Sequence, residues 1–220
     1  MDIIFLFNKF KYNLYQYRLY KKWCKLYPLN DICDDGILKF NDFFYTNPKI
    51  LFLLKEPADG FYIKREGPKG SYGPYGNSPR FWRHMRMWTF IVTEYFNKKI
   101  PLFSDAKNIR EQENSSIAYV NIIKENDNNY TDSSHIENYV KNKTHKKLLK
   151  KQITIIKPQI ILCGGTFDLL KYIFDNKISQ INNKLYKYKK IIIIDYKHPS
   201  NFVGGYPKYF NELSNIVKYL

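Results

Sequence analysis

Four short apolar runs divide the chain: residues 50–54, 117–120, 159–163 and 191–195. Their hydrophobic positions are continuous instead of alternating, which is the pattern of a strand covered on both faces. Helical periodicity follows or separates them over residues 80–97, about 135–156, 167–174 and about 207–220. Ser78-Pro79 offers an N-cap and a first-turn proline to the first of these, and Gly164-Gly165 turns the chain out of the third strand. An earlier helix over residues 8–26, dense in Tyr and Lys, brings Phe10, Leu14, Tyr17 and Trp23 near one stripe, and Pro28 ends it. Strands alternating with helices predict a three-layer α/β/α sandwich with a mainly parallel four-stranded sheet. The division is an N-terminal helical extension over residues 1–46 and an α/β core over residues 47–220, with no internal repeat. At 220 residues and 44% apolar composition the chain suits one well-buried core.

Three of the four strands end in polar groups. Glu56-Pro57 follows the first, Asn121 ends the second and His198-Pro199-Ser200 follows the fourth. Parallel sheets bind ligands outside the carboxyl ends of their strands, so these groups converge on a candidate site. The stretch 58–77, with Gly60, Gly67, Gly70, Gly73 and Gly76, comes directly after the first strand. Loops that long are usually functional. Each residue taken alone also has a plain structural role: Glu56 as a solvated acid, Asn121 as a turn cap, His198 as a surface residue beside Lys197.

The set Leu54-Lys55-Glu56-Pro57, Ala118-Tyr119-Val120-Asn121 and His198-Pro199-Ser200-Asn201-Phe202 resembles, in order and rough spacing, the motifs of the uracil-DNA glycosylase superfamily. The likeness covers residues 49–208 and leaves the first ~45 residues unexplained. It implies excision of uracil or a C5-modified pyrimidine from DNA, in repair or in defence against modified phage DNA. Glu56, where relatives carry Asp or Asn, would orient the attacking water and face the developing sugar cation. His198 would donate to the base oxygen that becomes anionic. Asn121 would read the base edge, with donor and acceptor on one amide. Tyr75 is the implied stacking platform, with Phe61, Tyr62 and Tyr72 as rivals. Ala58 stands where uracil-specific members have a bulky Tyr, which admits larger bases. Pro199 and Ser200 would pinch a phosphate, and Phe202 would fill the gap left by the extruded base. A catalytically inactive DNA-binding or protein-binding module of the same fold is the alternative, suggested by Glu56 and by Leu54 in place of the first-motif glycine. Gly164-Gly165-Thr166 after a strand could also mark a nucleotide or methyl-donor site, but no GxGxxG and no Walker lysine accompany it.

Charge sharpens the partner. The net charge of +16 favours a polyanion. Lysine is inflated along with Asn, Ile and Tyr, whereas Arg80, Arg83 and Arg86 fall in one helical window at i, i+3 spacing and make a candidate DNA contact. The helix at residues 8–26 is open to two readings, a helix packed on the domain's flank or a DNA-contacting arm. The lysine run at residues 141–151 is similarly either a solvated face or a phosphate contact. Cys24, Cys33 and Cys163 have no CxxC pairing, so no metal, cluster or other cofactor is implied, and Cys163 reads as a core residue. The apolar run at residues 3–7 is too short for a membrane span or a signal core. A monomer acting inside the cell on double- or single-stranded DNA is the expectation.

Overall fold

The computed structural model describes residues 3–27, 32–33, 35–55, 79–109, 116–124, 133–200 and 204–220. In chain order they form α1 (Ile3–Cys24), β1 (Gly36–Ile37), α2 (Phe40–Tyr45), β2 (Ile50–Leu54), α3 (Pro79–Phe96), α4 (Phe103–Lys107) and β3 (Ala118–Asn121). Then come α5 (Ser133–Lys141), α6 (Lys143–Ile156), β4 (Ile160–Gly164), α7 (Phe167–Ile173), β5 (Ser179–Asn182), β6 (Leu185–Tyr188), β7 (Ile191–Tyr196) and α8 (Gly205–Val217).

The α/β class is as expected, but the sheet has seven strands and not four, in the order β1-β3-β2-β4-β7-β6-β5. β3, β2, β4 and β7 are mutually parallel and correspond to the four apolar runs. The three additional strands are antiparallel and extend the sheet at its two sides, β1 beside β3, and β6 then β5 beside β7. They escape a pattern reading for physical reasons: β1 has only two residues, and all four residues of β5 are exposed, so neither carries a hydrophobic signal.

Side-chain alternation sorts the parallel strands onto two cores. Leu51, Leu53, Ala118, Val120, Ile161 and Cys163 face one side, where α1, α5, α6 and α7 pack. Ile50, Phe52, Leu54, Tyr119, Ile160 and Leu162 face the other, beneath α3 and α8. The crossovers explain this segregation. From β2 the chain steps to β3 through α3 on the second face, then reverses past β2 to β4 through α5 and α6 on the first. Reversing the direction of travel while keeping a right-handed crossover requires the opposite face. The point of reversal lies between β2 and β4, where a doubly wound sheet opens a crevice at its carboxyl edge.

Two helical expectations change in detail. The single helix over residues 135–156 is two, broken at Asn142, whose side-chain oxygen accepts from the Thr144 and His145 amides and so caps α6. The helix read over residues 8–26 begins at Ile3, and its buried stripe is Phe5, Tyr12, Gln16, Leu19 and Trp23. Phe10 and Tyr17 are 67% and 55% exposed. Both faces of α1 are apolar, so periodicity could not choose between them. Tyr12, Leu19 and Trp23 belong to the same core as Leu51 and Val120, which joins the N-terminal region to the sheet.

Candidate active site

The carboxyl edge of the sheet is held together by the turn after β4. The Thr166 hydroxyl donates to the Leu53 carbonyl of β2 at 2.8 Å, and the Gly165 amide donates to the Tyr196 carbonyl of β7 at 2.8 Å. Both glycines are needed. A Cβ at Gly164 would lie 3.0 Å from Leu54 Cδ2 and 3.2 Å from Pro199 Cδ, and Gly165 has φ +69°. A Cβ at Gly165 would come 3.8 Å from Lys55 Cε and 4.0 Å from the His198 nitrogen, so the ends of β2 and β7 meet across this turn. The Gly-Gly signal visible in the sequence therefore marks a close approach of three strand ends.

His198 is partly buried there. The Ser200 amide donates to its Nδ1 at 3.2 Å. Burial, with the positive Lys55 nearby, pushes its pKa down to about 4. At neutral pH the ring is therefore uncharged, and because Nδ1 accepts, the proton sits on Nε2. The loop carrying it is anchored by a residue that the sequence did not single out. His84 on α3, buried against Trp88, Tyr206 and Tyr209, donates from Nδ1 to the Pro199 carbonyl at 2.7 Å. Burial lowers its pKa despite that hydrogen bond, with Arg83 adding to the effect. The local hint of that ring stack was Trp88 at i+4 from His84 on the same helix. Lys197 pairs with Glu212 at 2.6 Å and ties the same strand end to α8.

These two histidines predict an acid-side loss of stability. Both have folded-state pKa values below the ordinary ~6.5, so the unfolded chain binds more protons once pH falls below that value. Their contribution is complete above ~6.5 and is lost as pH falls below it, for His198 down to about 4. Urea melts between pH 7 and 4.5 should show stability falling by up to ~1.4 kcal/mol per pH unit for each histidine. His84→Gln and His198→Asn should each flatten that slope. A parent slope already flat over this range would mean that neither ring is held neutral by burial.

Asn121 ends β3, roughly 14 Å across three strand spacings from β7. Its side chain is buried at 2% exposure, and its amide nitrogen donates to Cys33 Sγ at 3.4 Å. Its backbone amide donates to Asp35 Oδ2 at 2.5 Å. Asp35 in turn holds the buried Lys124 at 2.6 Å and accepts from Gln152 Nε2 at 2.6 Å. The edge of the site thus rests on a buried polar network that joins α6 to the sheet through residues without a sequence signature.

The arginines do not form the expected open face. Spacing of three along a helix drifts by about 60° per step, so the outer two diverge. Arg80 is exposed, the Arg83 guanidinium lies 4.4 Å from the centre of the Tyr206 ring, and Arg86 is 9% exposed among core residues of α3. Arg86 is corrected from a DNA contact to a buried side chain. Pro199 is buried and Ser200 exposed. Glu56, Pro57, Ala58, Tyr75 and Phe202, with the loop 58–77, lie outside the described residues.

Cys163 is fully buried and its thiol pKa is raised by that burial, as befits a core residue. Among the described residues no three His, Cys, Asp or Glu side chains gather as a metal site, and no helix is long and apolar enough to cross a membrane. No protein-family model matches the chain, and no curated protein matches it.

Proposed function

We propose that the chain binds DNA and hydrolyses the N-glycosidic bond of uracil or a C5-modified pyrimidine. The observation that supports this most is His198, a neutral imidazole with its proton on Nε2, placed beside the strand-end crevice between β2 and β4. A preorganised neutral donor stabilises the charge growing on the base oxygen without first giving up its proton, an effect worth about 2.7–4 kcal/mol in comparable oxyanion sites. In the reaction the bond between C1′ and the base nitrogen breaks, and its electron pair leaves with the base, whose oxygen His198 holds. A water oxygen then bonds to C1′, and its proton passes to the Glu56 carboxylate. In sequence Glu56 comes directly after Lys55, whose side chain meets the same Gly165 turn that the His198 backbone does.

In this reading Asn121 reads the base edge, the hydrogen bond to Cys33 using one of its two amide hydrogens. Tyr75 stacks on the base, and Ala58 leaves room at C5. Pro199 and Ser200 meet a phosphate, Phe202 fills the vacated stack, and the exposed Arg80 lies on the DNA path while Arg83 supports Tyr206. The protein acts inside the cell as a monomer, in repair or in defence against modified DNA.

The commitment of the Asn121 amide to Cys33 favours one second reading, a module of this fold that binds DNA without chemistry. A panel of oligonucleotides separates the two. Duplexes and single strands carrying uracil, hydroxymethyluracil or other C5-modified pyrimidines are incubated with the protein in EDTA and then cleaved with alkali at abasic sites. At least one base is expected to give a cleaved product. DNA that is bound but never cleaved, whatever the base, leaves the binding module.

A further inference from the structure

At the other end of the sheet from His198, α1, α2 and the C-terminal turn of α6 line a half-open cavity of about 540 Å³. Its place follows from the chain. Lys49 immediately precedes β2 and Lys157 closes α6 just before β4, so the cavity lies beside the amino ends of the parallel strands. The wall is aromatic: Tyr12 and Tyr15 come from α1, and Phe40, Phe43 and Phe44 from α2. Pockets of roughly 300–1,000 Å³ with mostly apolar walls and a few convergent polar groups are the usual containers of small molecules.

The charged groups here have one sign, beside the neutral Asn8 and Thr154. Lys11, Lys49, Lys151 and Lys157 line the cavity, and no Asp or Glu does. The nearby carboxylates on the neighbouring elements are engaged elsewhere, Asp42 with Lys39 at 3.0 Å and Asp175 with Lys146 and Lys150 at 2.7 and 2.6 Å. Among the described residues none of the four lining lysines is in an ion pair. Ammonium groups of like sign around one apolar hollow repel each other, and an anion seated there relieves that repulsion. Lys49 is partly buried, whereas Lys11, Lys151 and Lys157 stand on the exposed side, so the charge rims an aromatic floor.

We infer that this cavity binds a nucleotide, with the planar base against the tyrosine and phenylalanine rings and the phosphate on the lysines. Aromatic faces stack any base regardless of its edge, and lysine acts on phosphate as a point charge. An aliphatic anion would match the lysines but gain no stacking from the rings, and inorganic phosphate alone would leave the cavity unfilled. The inference is independent of the glycosylase reading, since it draws on the opposite end of the sheet.

Calorimetric titration of the full chain tests it with adenosine and thymidine monophosphates as probes, beside adenosine, inorganic phosphate and dodecyl phosphate. The expected result is one nucleotide bound per chain, with adenosine and inorganic phosphate each at least ~10-fold weaker. The doubly substituted Lys11→Glu/Lys151→Glu chain should weaken nucleotide binding at least ~10-fold. Thr154→Trp, at an exposed α6 position that lines the cavity, should block it while leaving the core intact. Melting temperatures near the parent's establish that both variants fold, and Thr154→Trp decides alone if the charge reversal does not. The inference is overturned by absence of nucleotide binding, by parent-like affinity in a folded variant of either kind, or by tighter binding of dodecyl phosphate than of either nucleotide.

Discussion

Replacing His198 by alanine is expected to lower base release at least ~100-fold while leaving DNA affinity nearly unchanged, because it deletes a donor that matters only as charge develops on the leaving base. Structure sets the specific form of this expectation. The ring is uncharged at neutral pH, and the Ser200 amide occupies Nδ1, so the group lost is the Nε2 proton and not a positive charge. A contribution from an imidazolium would disappear above its pKa, whereas the neutral donor keeps the rate level from pH 8 down to about 5. Glu56→Gln should cost at least ~100-fold as well, by removing the acceptor for the water's proton. Single-turnover assays on whichever base is released, with binding measured separately, check both. Parent-like turnover in either folded variant would return that residue to a structural role.

The largest effect on stability is expected from Asp35→Ala. Lys124 and Asp35 have side-chain exposures of 1% and 2%, and their charged atoms are 2.6 Å apart. Truncating the acid leaves an ammonium group buried with no counter-charge, which typically costs 3–5 kcal/mol. In a chain of this size each kcal/mol moves the melting temperature by roughly 2–4 °C. The doubly substituted Asp35→Leu/Lys124→Met chain should melt closer to the parent than Asp35→Ala does, since it removes both charges together. Asp35 also accepts from the Asn121 backbone amide and from Gln152, so its loss should loosen the end of β3. Melting of Asp35→Ala within a degree or two of the parent would show that the pair is not closed off from water.

The fold was legible where hydrophobicity was continuous. Ile50–Leu54 is buried at every position, and Ile160–Gly164 likewise, so runs without polar alternation could only be interior strands. Edge strands obey the opposite logic. Ser179–Asn182 is exposed throughout and pairs through its backbone, and backbone pairing leaves no trace in side-chain chemistry. The arginine window misled for a related reason: sequence spacing fixes an angle around α3 but not which neighbours cover each sector, and the core covers that of Arg86.

For the candidate site, the chain's own residues determined that polar groups stand at the ends of buried strands, His198 where the chain turns outward from β7 and Asn121 still inside the fold. The tertiary structure alone decided which ends meet. The reversal between β2 and β4 sets the crevice, and Gly164 and Gly165 let Pro199 and His198 approach the end of β2. His84 lies 115 residues from the carbonyl it holds, and Asp35 lies 86 from the amide it accepts. Hydrogen bonds over such separations are created by packing, since no local propensity or spacing rule acts beyond a few turns of chain. The neutrality of His198 is likewise a consequence of burial and of Lys55, properties that a residue acquires only from its neighbours in space.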